Sequence, residues 1–558
     1  MFAPSAPPGD PWRHRLEAEA ETADLRSLER LTSLVDGGDI AAVNRFVRRS
    51  WSSLLRTDLE RLRATLGRID AEQRANYPLI PMLQAIVTLP SRIRRAKAAR
   101  YFLLASRATT AREGEPDPLD TALVRVGEAV ACRIIGPHAR ARSSAERAAS
   151  HLRRLDEHQL AAIDGAPLLF LQVGKSLHDS GNATGALALF EEGLALAELE
   201  HEFDGLGNVS MLAGLLAVQG ELVLAEEYVE LVRSGLWAER ETRRYPGVFY
   251  RIAEAIMALE EGDPAGAARH LALLENDRRT TEDWIAIASA EALVGLHERK
   301  APEAIAALER TIMQRGREGR NAQAVNRLAP IRALLETAQG NPGRATSILL
   351  RDAAPSAQRA IGLARAELCL DRPAEALVHL QHQSVDGNST VRLRLEAAVL
   401  ETAARIRIPG MAPCVTLVRK LGGLARETGL RMPLALLPQA DFDAVRETLT
   451  ERGFGDLFSA GGTALLERAH SLAHLTHRER AVFDLIAAGR TPAQIAATQF
   501  VSINTVKTQI QSIYRKLSVT SRGQVVALAA RMGVLHATGA ESRVAAPEQE
   551  QDQAQAQA

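Results

Sequence analysis

Residues 168–198 read LLFLQVGKSLHDSGNATGALALFEEGLALAE, and this stretch decides the fold. Its apolar residues recur every three to four positions, which is the spacing of amphipathic helices. Ser180, Gly181 and Asn182 interrupt the pattern, and Gly181 can adopt the left-handed conformation that ends a helix. The stretch therefore predicts two helices joined by a tight turn.

The same unit recurs along the chain as a glycine followed five residues later by an alanine. A small alanine lets the second helix approach the first, and the bulky residue four positions later lies on the same face. We therefore expect both residues to be buried in helix–helix contacts. The pairs are Gly181/Ala186, Gly220/Ala225, Gly262/Ala267 and Gly340/Ala345, with degenerate copies at Arg299/Ala304 and Asp371/Ala376. The bulky residues are Phe190, Val229, Leu271, Leu308, Leu349 and Leu380.

The alanines lie 31 to 42 residues apart, a loose two-helix period that is typical of an α-solenoid. The best copy resembles a tetratricopeptide repeat. The residues at that repeat's spacing are Phe170, Gly174, Leu177, Gly181, Ala186 and Phe190. We predict an all-α fold, in which an α-solenoid of tetratricopeptide-like helical hairpins occupies residues 151–454 and a less regular helical region occupies residues 13–150.

Composition limits the class of protein. The 558 residues are 46% hydrophobic and include three cysteines, Cys132, Cys369 and Cys414, which are too few for a disulfide framework. Neither a membrane-spanning apolar stretch nor a signal peptide is recognisable, so we expect a cytoplasmic protein. Polar, low-complexity composition predicts a disordered tail at 537–558, and a short disordered N-terminus is expected at 1–12.

The sequence lacks the common catalytic motifs. Gly174-Lys175-Ser176 resembles the end of a P-loop, but position 169 is leucine where that motif needs glycine, so helix packing is the preferred interpretation. No H-E-x-x-H, G-x-S-x-G or G-x-G-x-x-G motif occurs. We therefore predict no enzyme activity, with no catalytic, cofactor-binding or metal-binding residues.

Charge is unevenly distributed although the net charge is zero. Residues 473–536 contain eight basic and two acidic residues, whereas residues 1–472 carry a small acidic excess of 62 over 59. A compact basic segment attached to a mildly acidic body favours a module that binds a polyanion.

The basic segment at 475–535 reads LTHRERAVFDLIAAGRTPAQIAATQFVSINTVKTQIQSIYRKLSVTSRGQVVALAARMGVL. A Thr-x-x-Glu capping box at Thr476 predicts a first helix, which ends at Gly489, and a second helix begins at the following Thr-Pro. Ser502 and Ser521 are expected to cap a third and a fourth helix. Four short helices with a basic third helix predict a helix-turn-helix module.

This segment resembles the LuxR-type DNA-binding domain. The family pattern comprises L-T-x-R-E, G-x-[ST], [EQ]-I-A, S-x-x-T-V-K, K-L and an arginine before the last helix. The matching residues are Leu475, Thr476, Arg478, Glu479, Gly489, Thr491, Gln494, Ile495, Ala496, Ser502, Thr505, Val506, Lys507, Lys516, Leu517 and Arg522. Pro492-Ala493 and Gln509 replace the family's common Asn-Lys and His, which predicts altered DNA affinity or base preference rather than an altered fold.

The resemblance implies particular DNA contacts. Lys507, Thr508 and Gln511 are expected to approach base edges, where glutamine can pair with adenine and lysine favours guanine or phosphate. Phosphate contacts, which position the domain without specifying sequence, are expected from a second group. That group is Ser502, Thr505, Arg515, Lys516 and Arg522. The alternative for each residue is an exposed helix position that contacts nothing.

The order of the two regions is similar to that of the large ATP-dependent LuxR-type activators, and so is IDAEQRANYPLIPMLQAI at 69–86. Those activators carry an N-terminal NTPase domain with a P-loop, which this sequence lacks, so their nucleotide switch is not implied here. The segment at 455–471 is predicted to link the repeats to a LuxR-type domain at 472–536.

We therefore predict a bacterial transcription regulator that binds double-stranded DNA. We expect it to form a homodimer through its last helix. Its repeat region is expected to sense a ligand or a protein partner, without a membrane or a cofactor. The alternative is a protein-interaction scaffold in which the DNA-binding module is secondary or vestigial.

Overall fold

The fold is described from a computed structural model of the chain. The described residues are 25–88, 95–110, 117–135, 138–200, 205–237, 239–274, 281–382, 389–458, 463–466, 475–517, 519 and 521–531. The disordered segments predicted at 1–12 and 537–558 lie outside these residues.

Helices dominate the described part of the chain, which contains no β-strand, and this confirms the predicted all-α class. Residues 25–36 are also helical. The first helices are α1 (Ile40–Arg49), α2 (Trp51–Arg56), α3 (Leu59–Gly67), α4 (Ala71–Ala75), α5 (Leu79–Thr88), α6 (Arg95–Thr110), α7 (Pro118–Ile135), α8 (His138–Leu152), α9 (Glu157–Ala161), α10 (Ala166–Asp179) and α11 (Ala183–Glu200). The next are α12 (Leu206–Gln219), α13 (Leu222–Leu231), α14 (Glu239–Thr242), α15 (Val248–Glu260), α16 (Pro264–Ala272), α17 (Trp284–His297), α18 (Ala301–Arg315), α19 (Ala322–Ala338) and α20 (Pro342–Asp352).

The remaining helices are α21 (Ala357–Cys369), α22 (Pro373–His382), α23 (Val391–Arg407), α24 (Val415–Thr428), α25 (Met432–Ala435), α26 (Gln439–Thr450), α27 (His477–Ala487), α28 (Pro492–Gln499), α29 (Ile503–Lys516) and α30 (Arg522–Arg531). Single π or 3-10 turns occupy Val232–Leu236, Tyr245–Gly247 and Gly455–Phe458. Within the described residues, no helix combines the length and the apolar character needed to cross a membrane.

The chain divides into two compact units. Unit 1 comprises Met1–Leu216 and Leu224–Ala253, and unit 2 comprises Ala217–Val223 and Glu254–Ala558. The domain boundaries expected from the sequence remain predictions.

The turns between paired helices share one backbone conformation. All six predicted turn positions have positive φ, including the two that are not glycine: Gly181 (85°), Gly220 (94°), Gly262 (81°), Arg299 (59°), Gly340 (81°) and Asp371 (65°). At five of them the following N–H donates to the carbonyl oxygen five residues earlier, as Asn182 does to Leu177 at 2.9 Å. This bond satisfies a carbonyl that the helix end leaves open. The turn therefore requires a positive φ, which glycine adopts with the least strain but which other residues also adopt here.

The alanines and bulky residues of the repeat lie where the sequence predicts. All six alanines are buried, and so are the bulky residues except Leu380, which is partly buried. In the best copy, a Cβ atom added to Gly174 of α10 would lie 2.4 Å from the ring of Phe190 in α11. The absence of a side chain at Gly174 thus permits the close approach of these two helices.

Unit 2 contains a contact between distant parts of its helical array. Glu260, at the end of α15, accepts hydrogen bonds from Nη1 of Arg392 at 2.5 Å and from the backbone N–H groups of Arg431 and Met432, each at 2.7 Å. Arg392 and Glu260 are 132 residues apart in sequence. In a solenoid each repeat contacts only its neighbours, so unit 2 departs from simple nearest-neighbour stacking.

Part of the predicted linker lies against the repeats. The N–H of Leu465 donates to the carbonyl oxygen of Ala435 at 2.7 Å, and Nη2 of Arg299 donates to the carbonyl oxygen of Ala464 at 2.5 Å. Leu466 forms a parallel bridge with Pro438 and is buried. Residues 463–466 are therefore held by the repeat region shortly before α27 begins.

Candidate nucleic-acid interface

Helices α27 to α30 surround an apolar core of their own. Val482, Phe483 and Ile486 contribute from α27, and they are joined by side chains from the other three helices. Those side chains include Ile495, Ala496, Val506, Ile513, Leu517, Val525, Leu528 and Ala529. The core therefore fixes which side of each helix remains available to a ligand.

The helix ends are capped as the sequence predicts. Thr476 and Glu479 form a capping box, in which Glu479 Oε2 accepts the N–H of Thr476 at 2.7 Å. Gly489 adopts a φ of 81°, and the next N–H donates to the carbonyl oxygen of Leu485 at 3.0 Å. A second capping box, between Thr491 and Gln494, starts α28. These caps set the short turn between α27 and α28.

The third helix of the module, α29, begins at an exposed hydroxyl pair. Ser502 Oγ accepts the N–H of Thr505 at 3.1 Å, and the two hydroxyl oxygens lie 2.9 Å apart. Both residues were predicted to contact phosphate. A helix N-terminus favours phosphate because its first N–H groups lack helical partners and its dipole is positive there.

The outer side of α29 is polar. Val506, Ile513 and Leu517 face the core. Because a helix turns 100° per residue, the side opposite them carries Asn504, Thr508, Gln511 and Arg515, all of which are exposed. We call these four residues the exposed ridge. Lys507 is also exposed and lies at its border.

Asn504 is the one member of the exposed ridge that the sequence predictions omitted. It precedes Thr508 by four residues, and Thr508 Oγ1 donates to its carbonyl oxygen at 3.0 Å. Asparagine can pair with both hydrogen-bonding groups of an adenine edge. Counting helix turns from Val506 would have identified this position.

Three of the predicted DNA-contacting residues line one cleft. Lys507, Gln511 and Arg522 surround it together with Pro492 and Tyr514, and its volume is about 260 Å³. Arg522 also donates from Nη2 to the carbonyl oxygen of Arg490 at 2.8 Å. The guanidinium group of Arg522 is thereby oriented by the turn between α27 and α28.

Lys516 has a partner inside the module. Its Nζ donates to Glu479 Oε2 at 2.6 Å, and Ser512 Oγ donates to Glu479 Oε1 at 2.7 Å. The hydrogen bonds from Lys516, Ser512 and the backbone of Thr476 lower the pKa of Glu479 to about 2. A phosphate contact by Lys516 remains a prediction, and any such contact would share its ammonium group with this carboxylate.

Residues 473–529 match the family described as bacterial regulatory proteins, luxR family. The chain is similar to the spore germination protein GerE of Bacillus subtilis, with 43% identity over 61 residues. It is also similar to the nitrate/nitrite response regulator protein homolog of Haemophilus influenzae, with 38% identity over 92 residues, and to the probable transcriptional regulatory protein NarL of Mycobacterium tuberculosis, with 44% identity over 61 residues.

These alignments cover 11%, 16% and 11% of this chain, respectively. The chain spans 82% of the Bacillus protein, but only 44% and 28% of the two longer regulators. The similarity therefore concerns a short part of the chain.

Proposed function

This chain belongs to the LuxR family of bacterial regulatory proteins, and from that membership we propose a sequence-specific transcription regulator that inserts α29 into the major groove of DNA. The observation that carries the proposal is the exposed ridge on a capped helix of 14 residues. In helix-turn-helix proteins the second helix of the motif reads base edges with its N-terminal residues.

We assign different contacts to different parts of the module. Lys507, Thr508 and Gln511 contact base edges, and Asn504 joins them. Ser502 and Thr505, at the helix N-terminus, contact phosphate. Arg515, Arg522 and Lys516 add basic groups toward the phosphate backbone, with the last two also held by partners within the module.

Random-site selection with the full chain, followed by binding measurements at several salt concentrations, tests this assignment. Lys507→Ala should weaken binding to the selected DNA by about 1–3 kcal/mol and relax preference at one base pair. If Lys507 contacts only phosphate, the loss is uniform across sequences and the salt dependence falls by about one unit.

Arg480→Ala is the matched control, because Arg480 is a basic residue of α27 that pairs with Asp484 at 3.3 Å. We expect it to leave base preference unchanged. Unaltered binding of Lys507→Ala to every sequence would contradict the role given to α29.

The repeat region is proposed to sense a ligand or a protein partner and to act on the DNA-binding module. The binding of residues 463–466 by Arg299 and Ala435 supports this, because it connects the repeats to the chain that leads into α27. The DNA affinity of the full chain should therefore differ from that of residues 470–558 under the same salt conditions. Equal affinities, after correction for oligomeric state, would show that the repeats do not control DNA binding.

Dimerisation through α30 completes the proposal. Val525 and Leu528 of this helix are buried in the module, whereas Gln524 and Ala527 are exposed. We expect Ala527→Glu to lower the dimer fraction in sedimentation experiments by placing like charges at a two-fold contact. An unchanged dimer fraction would exclude α30 as the interface.

A further inference from the structure

Three exposed apolar residues lie immediately before the exposed ridge in the sequence. Phe500, Val501 and Ile503 are 96%, 36% and 46% exposed, respectively, and we call them the apolar edge. Single exposed apolar residues are common in proteins, but three within four positions directly before the polar side of α29 are more than an isolated case. The apolar edge is thus a candidate for contact with whatever the exposed ridge binds.

The folded module does not use Ile503 as a core residue. The first side chain of α29 that packs in the core is Val506, which is fully buried. Phe500 adopts a left-handed backbone with a φ of 53° and ends α28. Ile503 occupies the first position of α29, one turn before the exposed Lys507. The exposed side chain of Ile503 is therefore not explained by packing in the core of the module.

The position of Ile503 and its apolar side chain together indicate which group it contacts. Ile503, Lys507 and Gln511 are spaced four residues apart, so they follow one side of α29. The first residues of such a helix meet base edges in the major groove. On the major-groove edges of the four bases, the apolar group that distinguishes one base from another is the 5-methyl group of thymine.

We propose that Ile503 recognises a thymine by contact with its 5-methyl group. Four residues of helix span about 6 Å, so this thymine lies within about two base pairs of the base contacted by Lys507. The inference rests on the proposed function, because it places α29 in the major groove. It makes Ile503 a specificity-determining residue in addition to the polar ones.

The test uses the full chain and DNA duplexes selected from a random pool, with each thymine replaced in turn by deoxyuridine. Deoxyuridine lacks only the 5-methyl group. Replacement of one thymine per half-site should lower the affinity of wild type for DNA about 3- to 5-fold, as expected when the burial of one methyl group is lost. In Ile503→Ala the same replacement should have no effect.

Two variants serve as controls. Ile503→Val keeps a branched apolar side chain and should retain sensitivity to deoxyuridine at the same position. Val501→Ala, in the preceding turn, should also retain it. The inference is overturned if each replacement of thymine by deoxyuridine changes the DNA affinity of wild type and of Ile503→Ala by the same factor. The apolar edge would then be a candidate for contact with a protein partner. Failure to select any DNA sequence would instead overturn the proposed function.

Discussion

Glu479 gives the sharpest prediction, because one carboxylate joins the start of α27 to the end of α29. Its side chain is only 9% exposed and accepts hydrogen bonds from Thr476, Ser512 and Lys516. Glu479→Gln keeps the size and the oxygen acceptor but removes the charge that pairs with Lys516. The variant therefore isolates the electrostatic part of the contact.

The magnitude follows from the pKa of Glu479, which falls from 4.5 to about 2 on folding. A carboxylate with a lowered pKa stabilises the folded state above its unfolded pKa and loses that contribution as pH falls toward the folded value. We therefore expect Glu479→Gln to lower the free energy of opening by about 2–3 kcal/mol at pH 7. The difference should shrink below pH 4.5 and nearly vanish at pH 2.

Hydrogen–deuterium exchange of peptides from α27 and α29 in the full chain measures this free energy locally. Asp484→Asn is the matched control, since Asp484 lies on the same helix but pairs with Arg480 at an exposed site. That pair should contribute no more than about 1 kcal/mol. Equal opening free energies for wild type and Glu479→Gln at pH 7, or a difference that persists at pH 2, would refute the reasoning.

Three further predictions concern the repeat region. Ala186→Leu should overpack α10 against α11 and cost about 1–3 kcal/mol, and an unchanged melting temperature would place Ala186 outside the contact. Gly262→Ala should cost about 1–2 kcal/mol in thermal unfolding because its φ is 81°, whereas Gly423→Ala, in an open position of α24, should be neutral or stabilising. Equal effects of the two changes would contradict the assigned turn geometry. Arg392→Met should cost about 3–5 kcal/mol in denaturant unfolding by leaving Glu260 buried without its charge partner, and a loss under 1 kcal/mol would show that the pair is dispensable.

Local features of the fold could be predicted from sequence because their causes are local. The Gly–Ala spacing identified even the turns that carry Arg299 and Asp371, since the partner alanine and the bulky residue constrain the register on their own. The Glu260–Arg392 contact could not be found this way. It depends on small rotations that accumulate over many helix pairs, and periodicity does not report those angles.

At the candidate interface, too, local features could be predicted from the sequence, whereas contacts between helices could not. Helix caps at Thr476 and Ser502 have short-range patterns, and the polar character of Thr508 and Gln511 is visible in the sequence. The capping role of Glu479 was equally visible, but its bond to Lys516, 37 residues away, requires the packing of two helices. A basic residue near the end of a DNA-binding helix therefore cannot be assigned to phosphate until its internal partners are known.

The contact between Glu260 and Arg392 also bears on how this chain can change during evolution. Repeat arrays usually gain or lose whole hairpins, because each new copy needs only to stack on the previous one. Here, a hairpin inserted or deleted between α15 and α23 would move Arg392 away from a buried carboxylate that needs it. The number of copies in that interval is therefore constrained, and duplication is better tolerated outside it.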